Sequence, residues 1–206
     1  MDINSARKGC GALKANTTGG SNAALGAAAM LKNTEGEGNT GVGIITLCNN
    51  TTGDYNTASG FNALRNNTTG DENTAIGMNA LTANTTGQRN TAVGIASLYS
   101  NTEGNRNVAI GYTALMANTT GLYNTAIGPS SLVANTTGRY NTGLGINSLT
   151  ATTTSWYNIG IGYGALNDAN RTADTDGYNV ALGVNAGNTG TNDITTGNKN
   201  TLLGAS

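Results

Sequence analysis

One seventeen-residue pattern is repeated along almost the whole chain, and this repetition constrains the fold more than any single residue does. The pattern opens with Asn-Thr-Ala-Ile-Gly, continues to an Ala-Leu pair and closes with Asn-Thr-Thr-Gly. A fixed period of this length indicates a solenoid, in which each repeat is one coil that packs on its neighbours. We expect two structural ladders from the opening motif, one of Asn56, Asn73, Asn90, Asn107, Asn124 and Asn141, and one of Gly60, Gly77, Gly94, Gly111, Gly128 and Gly145.

Each coil contains the pattern of a short β-strand. Larger residues alternate around a small one in the opening motif, as in Thr74, Ala75 and Ile76, and this period-two alternation predicts a strand. A coil of this length has room for two strands of about five residues and two turns. We expect the Thr, Val and Ile positions and the Leu of Ala-Leu to fill the roll. The small residues between them would then face either a neighbouring chain or water, and we expect a subunit-contact row of Ala58, Ala75, Ala92, Ala109 and Ala126.

The turns are predicted at Asn-Thr-Thr-Gly, because Asn and Gly tolerate the positive φ that tight turns require. Asn side chains stacked in register can also hydrogen-bond along the axis. The period is broken twice near the C-terminus, where the turn glycine arrives late at Gly177 and Gly197, by insertions of five and three residues. We therefore expect one solenoid domain over 1–206, with regular coils over 9–166 and coils with insertions over 167–206. Neither end has a polar cap, which indicates a segment of a longer fibre or a subunit that stacks end to end.

Composition excludes several classes of function. Only 10% of residues are charged and the net charge is −1, so no basic surface attracts nucleic acid. No apolar run is long enough to insert into a membrane, and no signal peptide is present in this chain. Without histidine or a convergent carboxylate pair, we expect no catalysis, no metal and no cofactor. Cys10 and Cys48 lie two coils apart, roughly 10 Å along the axis, and are expected to be free thiols.

The repeat N-T-A-[IV]-G-x-x-[AS]-L-x-x-N-T-T-G resembles the head repeats of trimeric autotransporter adhesins of the YadA type. It is still more similar to the longer repeats of phage tail fibres and related bacterial surface proteins. The match covers roughly Gly9 to Gly204, with eleven coils that carry the motif. The resemblance implies an all-β, left-handed parallel β-roll of about eleven to twelve coils, with three chains packed side by side and the Ala row near their contacts. It also implies an extracellular or virion-surface location and a role in adhesion or fibre building.

Aromatic residues recur at one phase of the C-terminal coils and form a candidate ligand or receptor surface. They are Tyr123, Tyr140 and Tyr157, with Trp156 beside the last and Tyr178 at the corresponding place after the first insertion. We expect their rings to lie about one strand spacing apart, as a strip that either binds sugar rings or shields a turn.

The first insertion, Asn167 to Gly177, is a second candidate surface. It groups three carboxylates with Asn residues, namely Asp168, Asp174 and Asp176. Their spacing does not fit an EF-hand loop, so a solvated, receptor-facing loop is favoured over a calcium site.

Taken together, these features predict a structural protein and not an enzyme. We expect a fibre or adhesin head, a homotrimer or homopolymer, that presents a repetitive polar surface to a cell-surface glycan or protein receptor. A self-polymerising extracellular filament subunit is one alternative. An ice-binding solenoid is another, because Thr recurs in every coil from Thr17 to Thr153. That row lies in a turn, however, and Glu35 and Glu103 interrupt the Thr row beside it.

Overall fold

The computed structural model describes residues 5–167, 177–187 and 199–204 and shows an all-β parallel solenoid with seventeen residues per regular coil. Within these residues, twelve short strands stack in sequence order into one sheet. The strands are β1 (Ala6–Lys8), β2 (Ala23–Leu25), β3 (Thr40–Val42), β4 (Thr57–Ser59), β5 (Thr74–Ile76), β6 (Thr91–Val93), β7 (Val108–Ile110), β8 (Thr125–Ile127), β9 (Thr142–Leu144), β10 (Ile159–Ile161), β11 (Val180–Leu182) and β12 (Thr201–Leu203). The solenoid predicted from the repeat is confirmed, whereas its left-handed sense and its trimeric state stay predictions.

Neighbouring strands pair in parallel at a constant offset of one repeat. Thr74 lies opposite Thr91 in the β5–β6 pair. The register continues across the first insertion, because Ile159 lies opposite Val180 in the β10–β11 pair. Strand pairing therefore follows the motif and does not depend on the length of the connection between coils.

In the coils that the structure describes in full, the opposite side is not the second strand that the sequence predicted. After β5, the N–H of Ala80 bonds to the carbonyl of Gly77 and the N–H of Asn84 bonds to that of Leu81, both at 3.3 Å, which makes two consecutive turns. Leu81 has a φ of 52°, a left-handed conformation that strands do not contain. The prediction of a second strand was wrong because sequence alternation does not reveal that the leucine has a left-handed backbone. L-residues adopt that conformation only at a cost of about 1–2 kcal/mol.

The interior of the roll is lined by the small residues of the strands and not by the β-branched ones. Ile76 is 43% exposed, while the row predicted to contact other subunits is fully buried at Ala58, Ala75, Ala92, Ala109 and Ala126. These alanines join the buried leucines, such as Leu81, in the core of a single chain. The subunit-contact prediction was therefore wrong, because the coil is thin enough that little more than a methyl group fits beside the leucine. Gly41 shows the limit: a Cβ there would lie 3.1 Å from Oγ1 of Thr46 and 3.2 Å from Cε of Met30, which replaces the leucine in the preceding coil.

Two columns of fully buried Asn side chains run along the axis. In the column formed by the opening Asn, Oδ1 of Asn73 accepts from the backbone N–H (3.0 Å) and from Nδ2 (3.1 Å) of Asn90. In the column formed by the Asn of Asn-Thr-Thr-Gly, Nδ2 of Asn84 donates to Oδ1 of Asn67 at 2.7 Å. A buried amide must find its hydrogen-bond partners inside the protein, and here the same amide in the next coil supplies them.

The glycines of the two motifs have different roles. Gly94, which follows β6, has a φ of +131°, a conformation that L side chains rarely adopt. The glycine of Asn-Thr-Thr-Gly was also expected to supply a positive φ, and this expectation was wrong at Gly70, whose φ is not in that region. A Cβ at Gly70 would instead clash with the carbonyl oxygen of Gly87 and lie 2.6 Å from Oδ1 of Asn67, so this glycine is required by the close approach of the next coil's backbone and of the buried ladder.

Candidate functional site

A continuous apolar surface runs along the axis on the outer side of the sheet. It consists of the third residue of strands β3 to β11, apart from the polar Ser59 of β4, and of the residue after the next glycine. The two positions lie two residues apart and so share a face. We call it the apolar stripe, and it comprises Val42, Ile44, Phe61, Ile76, Met78, Val93, Ile95, Ile110, Tyr112, Ile127, Pro129, Leu144, Ile146, Ile161, Tyr163, Leu182 and Val184. Most of these side chains are at least a third exposed, and Tyr112 reaches 60%.

The apolar stripe is far longer than the isolated apolar residues found on ordinary protein surfaces. Contiguous exposed patches of more than a few hundred Å² mark interaction sites in soluble proteins. Sequence reasoning missed this surface because it assigned residues such as Ile76 to the interior. The available signal was the glycine between the two apolar positions: in a coil thin enough for alanine, two large residues that flank a glycine cannot both point inward.

Four tyrosines form a column of stacked rings on a different side of the solenoid. Consecutive ring centroids are 4.8 to 4.9 Å apart and the planes differ by at most 15°, in the order Tyr123, Tyr140, Tyr157 and Tyr178. The guanidinium of Arg106 lies 5.3 Å from the centroid of Tyr123 and donates to its hydroxyl. The faces of the inner rings are therefore covered by their neighbours. The strip, which was expected either to bind sugar rings or to shield a turn, has no open ring face along most of its length.

The same column continues toward the N-terminus with paired polar side chains. Nε of Arg89 lies 2.9 Å from Oε2 of Glu72 in an exposed salt bridge. The hydrogen bond and the positive charge lower the pKa of Glu72, and the same contacts raise the pKa of Arg89. The hydroxyl of Tyr55 donates to Oε1 of Glu37 at 2.9 Å, and this bond, together with the carboxylate charge, raises the pKa of Tyr55. Such exposed pairs contribute little to stability, but each one joins two neighbouring coils.

A groove of about 420 Å³ opens beside the C-terminal part of the tyrosine column. We call it the Trp156 groove, and the residues that line it include Trp156, Tyr157, Gly177, Tyr178, Thr137 and Ser155. The groove brings together three of the five aromatic residues that the sequence singled out. The other two, Tyr123 and Tyr140, do not line it.

The Thr row that suggested ice binding uses its hydroxyl groups within the chain. Oγ1 of Thr51 donates to the carbonyl of Thr68 at 3.0 Å, and Oγ1 of Thr68 repeats the contact with Thr85 at 3.0 Å. A hydroxyl has one proton to donate, so these groups have no donor left for a surface water. The geometry therefore weakens the ice-binding alternative.

Other site chemistry is not found in the part of the chain that the structure describes. No three His, Cys, Asp or Glu side chains come together there as a metal site requires. The three carboxylates predicted to group in the first insertion, Asp168, Asp174 and Asp176, lie outside the described residues. Cys10 is an exposed free thiol and Cys48 is a partly buried one. The described segments also contain no helix long and apolar enough to cross a membrane.

The fold defines the class of protein as a parallel β-solenoid, with one three-residue strand per coil in the described residues. No protein-family model, no curated protein and no solved structure matches the chain. The similarity to adhesin heads and phage fibres therefore depends on the repeat motif alone.

Proposed function

We propose that the chain is a structural fibre or adhesin-head segment in which three copies pack through the apolar stripe. The observation that carries this proposal is the continuity of the stripe along the described coils. The resemblance in sequence implies three chains side by side, and the stripe offers the surface through which they would meet. It replaces the Ala row, which is buried within one chain.

The energetics favour such an assembly. Ile95, one residue of the apolar stripe, is 46% exposed. Full burial of an aliphatic side chain contributes about 1.5–3 kcal/mol of favourable free energy. Burying what remains exposed would then contribute about 1 kcal/mol per side chain, or about 2 kcal/mol per coil. Because the stripe extends over many coils, this sum exceeds the roughly 4–15 kcal/mol that association costs. A rigid rod of three chains with polar outer surfaces is the result, and such a rod is suited to span distance and present a binding surface.

A pair of charges on the stripe tests the interface. In the double variant Ile76→Lys with Ile110→Lys, three copies would bring six ammonium groups toward one axis, so we expect single chains in light scattering. The matched control carries the same two charges on an exposed turn, as Thr69→Lys with Thr86→Lys, and should keep the mass of the parent protein. Both variants should retain the circular dichroism of the parent. Equal masses for the two double variants would contradict the interface.

The two cysteines test the direction of packing. Cys10 follows Gly9 as Ile95 follows Gly94, so it continues one column of the apolar stripe, whereas Cys48 follows the buried leucine column. Parallel, in-register packing would bring Cys10 thiols of neighbouring chains together. Mild copper-phenanthroline oxidation should then cross-link the Cys48→Ser variant and not the Cys10→Ser variant. Cross-linking of neither variant, in a sample that is trimeric, would exclude parallel packing through this face.

A further inference from the structure

The Trp156 groove contains an aromatic face that the repeat itself leaves open. Within its column, Trp156 follows Arg139 and precedes Gly177. The guanidinium of Arg139 lies 5.4 Å from the ring centroid and covers one face. Gly177 has no side chain to cover the other, and a Cβ there would lie 2.0 Å from the carbonyl oxygen of Trp156. Trp156 is accordingly 46% exposed.

The coils around the groove depart from the pattern that stabilises the rest of the rod. Thr152 takes the place of a ladder Asn, and the buried Oδ1 of Asn135 and Oγ1 of Thr152 both lack a hydrogen-bond partner among the described residues. Ser155 replaces the glycine of Asn-Thr-Thr-Gly, and its Oγ accepts from Nδ2 of Asn158 at 3.1 Å. Natural sequences break their own structural rules mainly at functional sites, so these departures favour a binding role for the groove.

The chemistry of the lining favours an uncharged ligand. Among the residues that the structure describes, the side chains that line the groove are aromatic rings and hydroxyl groups, with no carboxylate, ammonium or guanidinium. An aromatic face beside hydroxyl groups suits a molecule that has an apolar face and a rim of hydroxyl groups. A pyranose ring has this shape: its C–H face packs on an indole, and its hydroxyl groups bond at the edge. The groove volume of about 420 Å³ is within the range of small-molecule sites.

We propose that the Trp156 groove binds a neutral pyranose unit of a glycan, stacked on the ring face of Trp156 that Arg139 does not cover. Tyr178, which is 55% exposed, forms the neighbouring aromatic contact. The inference deepens the adhesin function by naming its ligand class. The groove lies on columns other than the apolar stripe, so binding is measured independently of whether three chains associate.

The chain contains a single tryptophan, so its fluorescence reports on the groove directly. The probes are a β-glucan oligomer, a galactan oligomer and chitotetraose, titrated one at a time. We expect a saturable change in Trp156 emission with at least one of them. Tyr178→Asn should weaken that binding about five- to tenfold, because it removes one aromatic contact and keeps a residue that tolerates the left-handed backbone.

Tyr140→Asn is the matched control, since Tyr140 has the same left-handed backbone conformation and also stacks on Tyr157 but does not line the groove. Its affinity should equal that of the parent. Because Trp156→Ala removes the fluorescent residue, binding of the probe to this variant is measured by saturation-transfer NMR. We expect the saturation-transfer signal of the probe to vanish. The inference is overturned if no probe changes the emission, or if Tyr178→Asn and Tyr140→Asn bind equally well. Light scattering on the same samples reports the trimer separately, so loss of sugar binding with an intact trimer would reject the groove and not the fibre.

Discussion

Replacing one Asn of the opening ladder with alanine should destabilise the protein far more than its small change in volume suggests. Asn90 is fully buried, and its side chain makes four hydrogen bonds. Nδ2 donates to Oδ1 of Asn73 and to the carbonyl of Gly104. Oδ1 accepts from the backbone N–H (3.0 Å) and from Nδ2 (3.2 Å) of Asn107.

The magnitude follows from which partners remain. In Asn90→Ala the backbone N–H of Asn107 loses its acceptor in a fully buried position, at a cost of about 2 kcal/mol. The carbonyl of Gly104 keeps a donor, Nδ2 of Asn101 at 3.0 Å, and Oδ1 of Asn73 keeps the backbone N–H of residue 90. The other lost bonds therefore add only about 1 kcal/mol. We expect a loss of about 3 kcal/mol in total.

Urea unfolding followed by circular dichroism, at one fixed protein concentration, measures this loss. The matched control is Asn49→Ala, because Asn49 is only half-buried and its side chain makes a single bond, to Oδ1 of Asn66 at 3.0 Å. That variant should lose less than about 1 kcal/mol. Equal losses in the two variants, or a loss below about 0.5 kcal/mol in Asn90→Ala, would refute the reasoning that buried amide ladders hold the coils together.

Three further predictions concern backbone and charge. Gly94→Ala should lower the free energy of unfolding in urea by at least about 3 kcal/mol, because a Cβ there would lie 2.5 Å from a backbone oxygen. Gly20→Ala should be nearly neutral, because a Cβ at that position would meet nothing within 4 Å. By NMR, the carboxyl of Glu72 should titrate below the ordinary glutamate range, and its pKa should return to that range in Arg89→Ala. Because the pKa of Glu72 is lowered in the folded state, the stabilisation from the pair is present above the unfolded-state pKa and is lost as pH falls through the folded-state pKa. Tyr55 should ionise at a higher pH than an ordinary tyrosine, as measured by ultraviolet difference titration against Tyr55→Phe. Because the pKa of Tyr55 is raised in the folded state, its stabilisation of the fold is present below the unfolded-state pKa and is lost as pH rises through the folded-state pKa.

The sequence predicted the repeat architecture well because a solenoid is specified by periodicity. The strand at Thr74–Ile76 and its offset of one repeat follow directly from the recurrence of Asn-Thr-Ala-Ile-Gly. Which face of that strand lies inside could not be settled in the same way. Alternation alone is symmetrical: it separates Ala75 from Ile76 without saying which of the two is buried. The thinness of the coil decides for alanine, and that thickness depends on the left-handed leucine turn, which the pattern does not reveal.

The aromatic residues show the same division between what a sequence reveals and what it does not. A common phase for Tyr123 and Tyr140 was sufficient to predict that their rings follow one another along the axis. It was not sufficient to show that stacking at 4.9 Å would cover the ring faces. The open face of Trp156 arises because the residue at the same position in the next coil is a glycine, Gly177. The site therefore depends on two residues between which most of the first insertion lies. A search for repeated residues does not find such a site, because the site exists where the repeat is broken.

The central claim, that three chains bury the apolar stripe, is tested most directly by the mass of the purified protein in solution. Size-exclusion chromatography with light scattering should give three times the chain mass of 20.7 kDa, constant over a wide range of concentration. A single-chain mass at every concentration would contradict the claim, because the stripe would then remain exposed to water. A mass that rises steadily with concentration would contradict it as well, and would favour the filament subunit that stacks end to end.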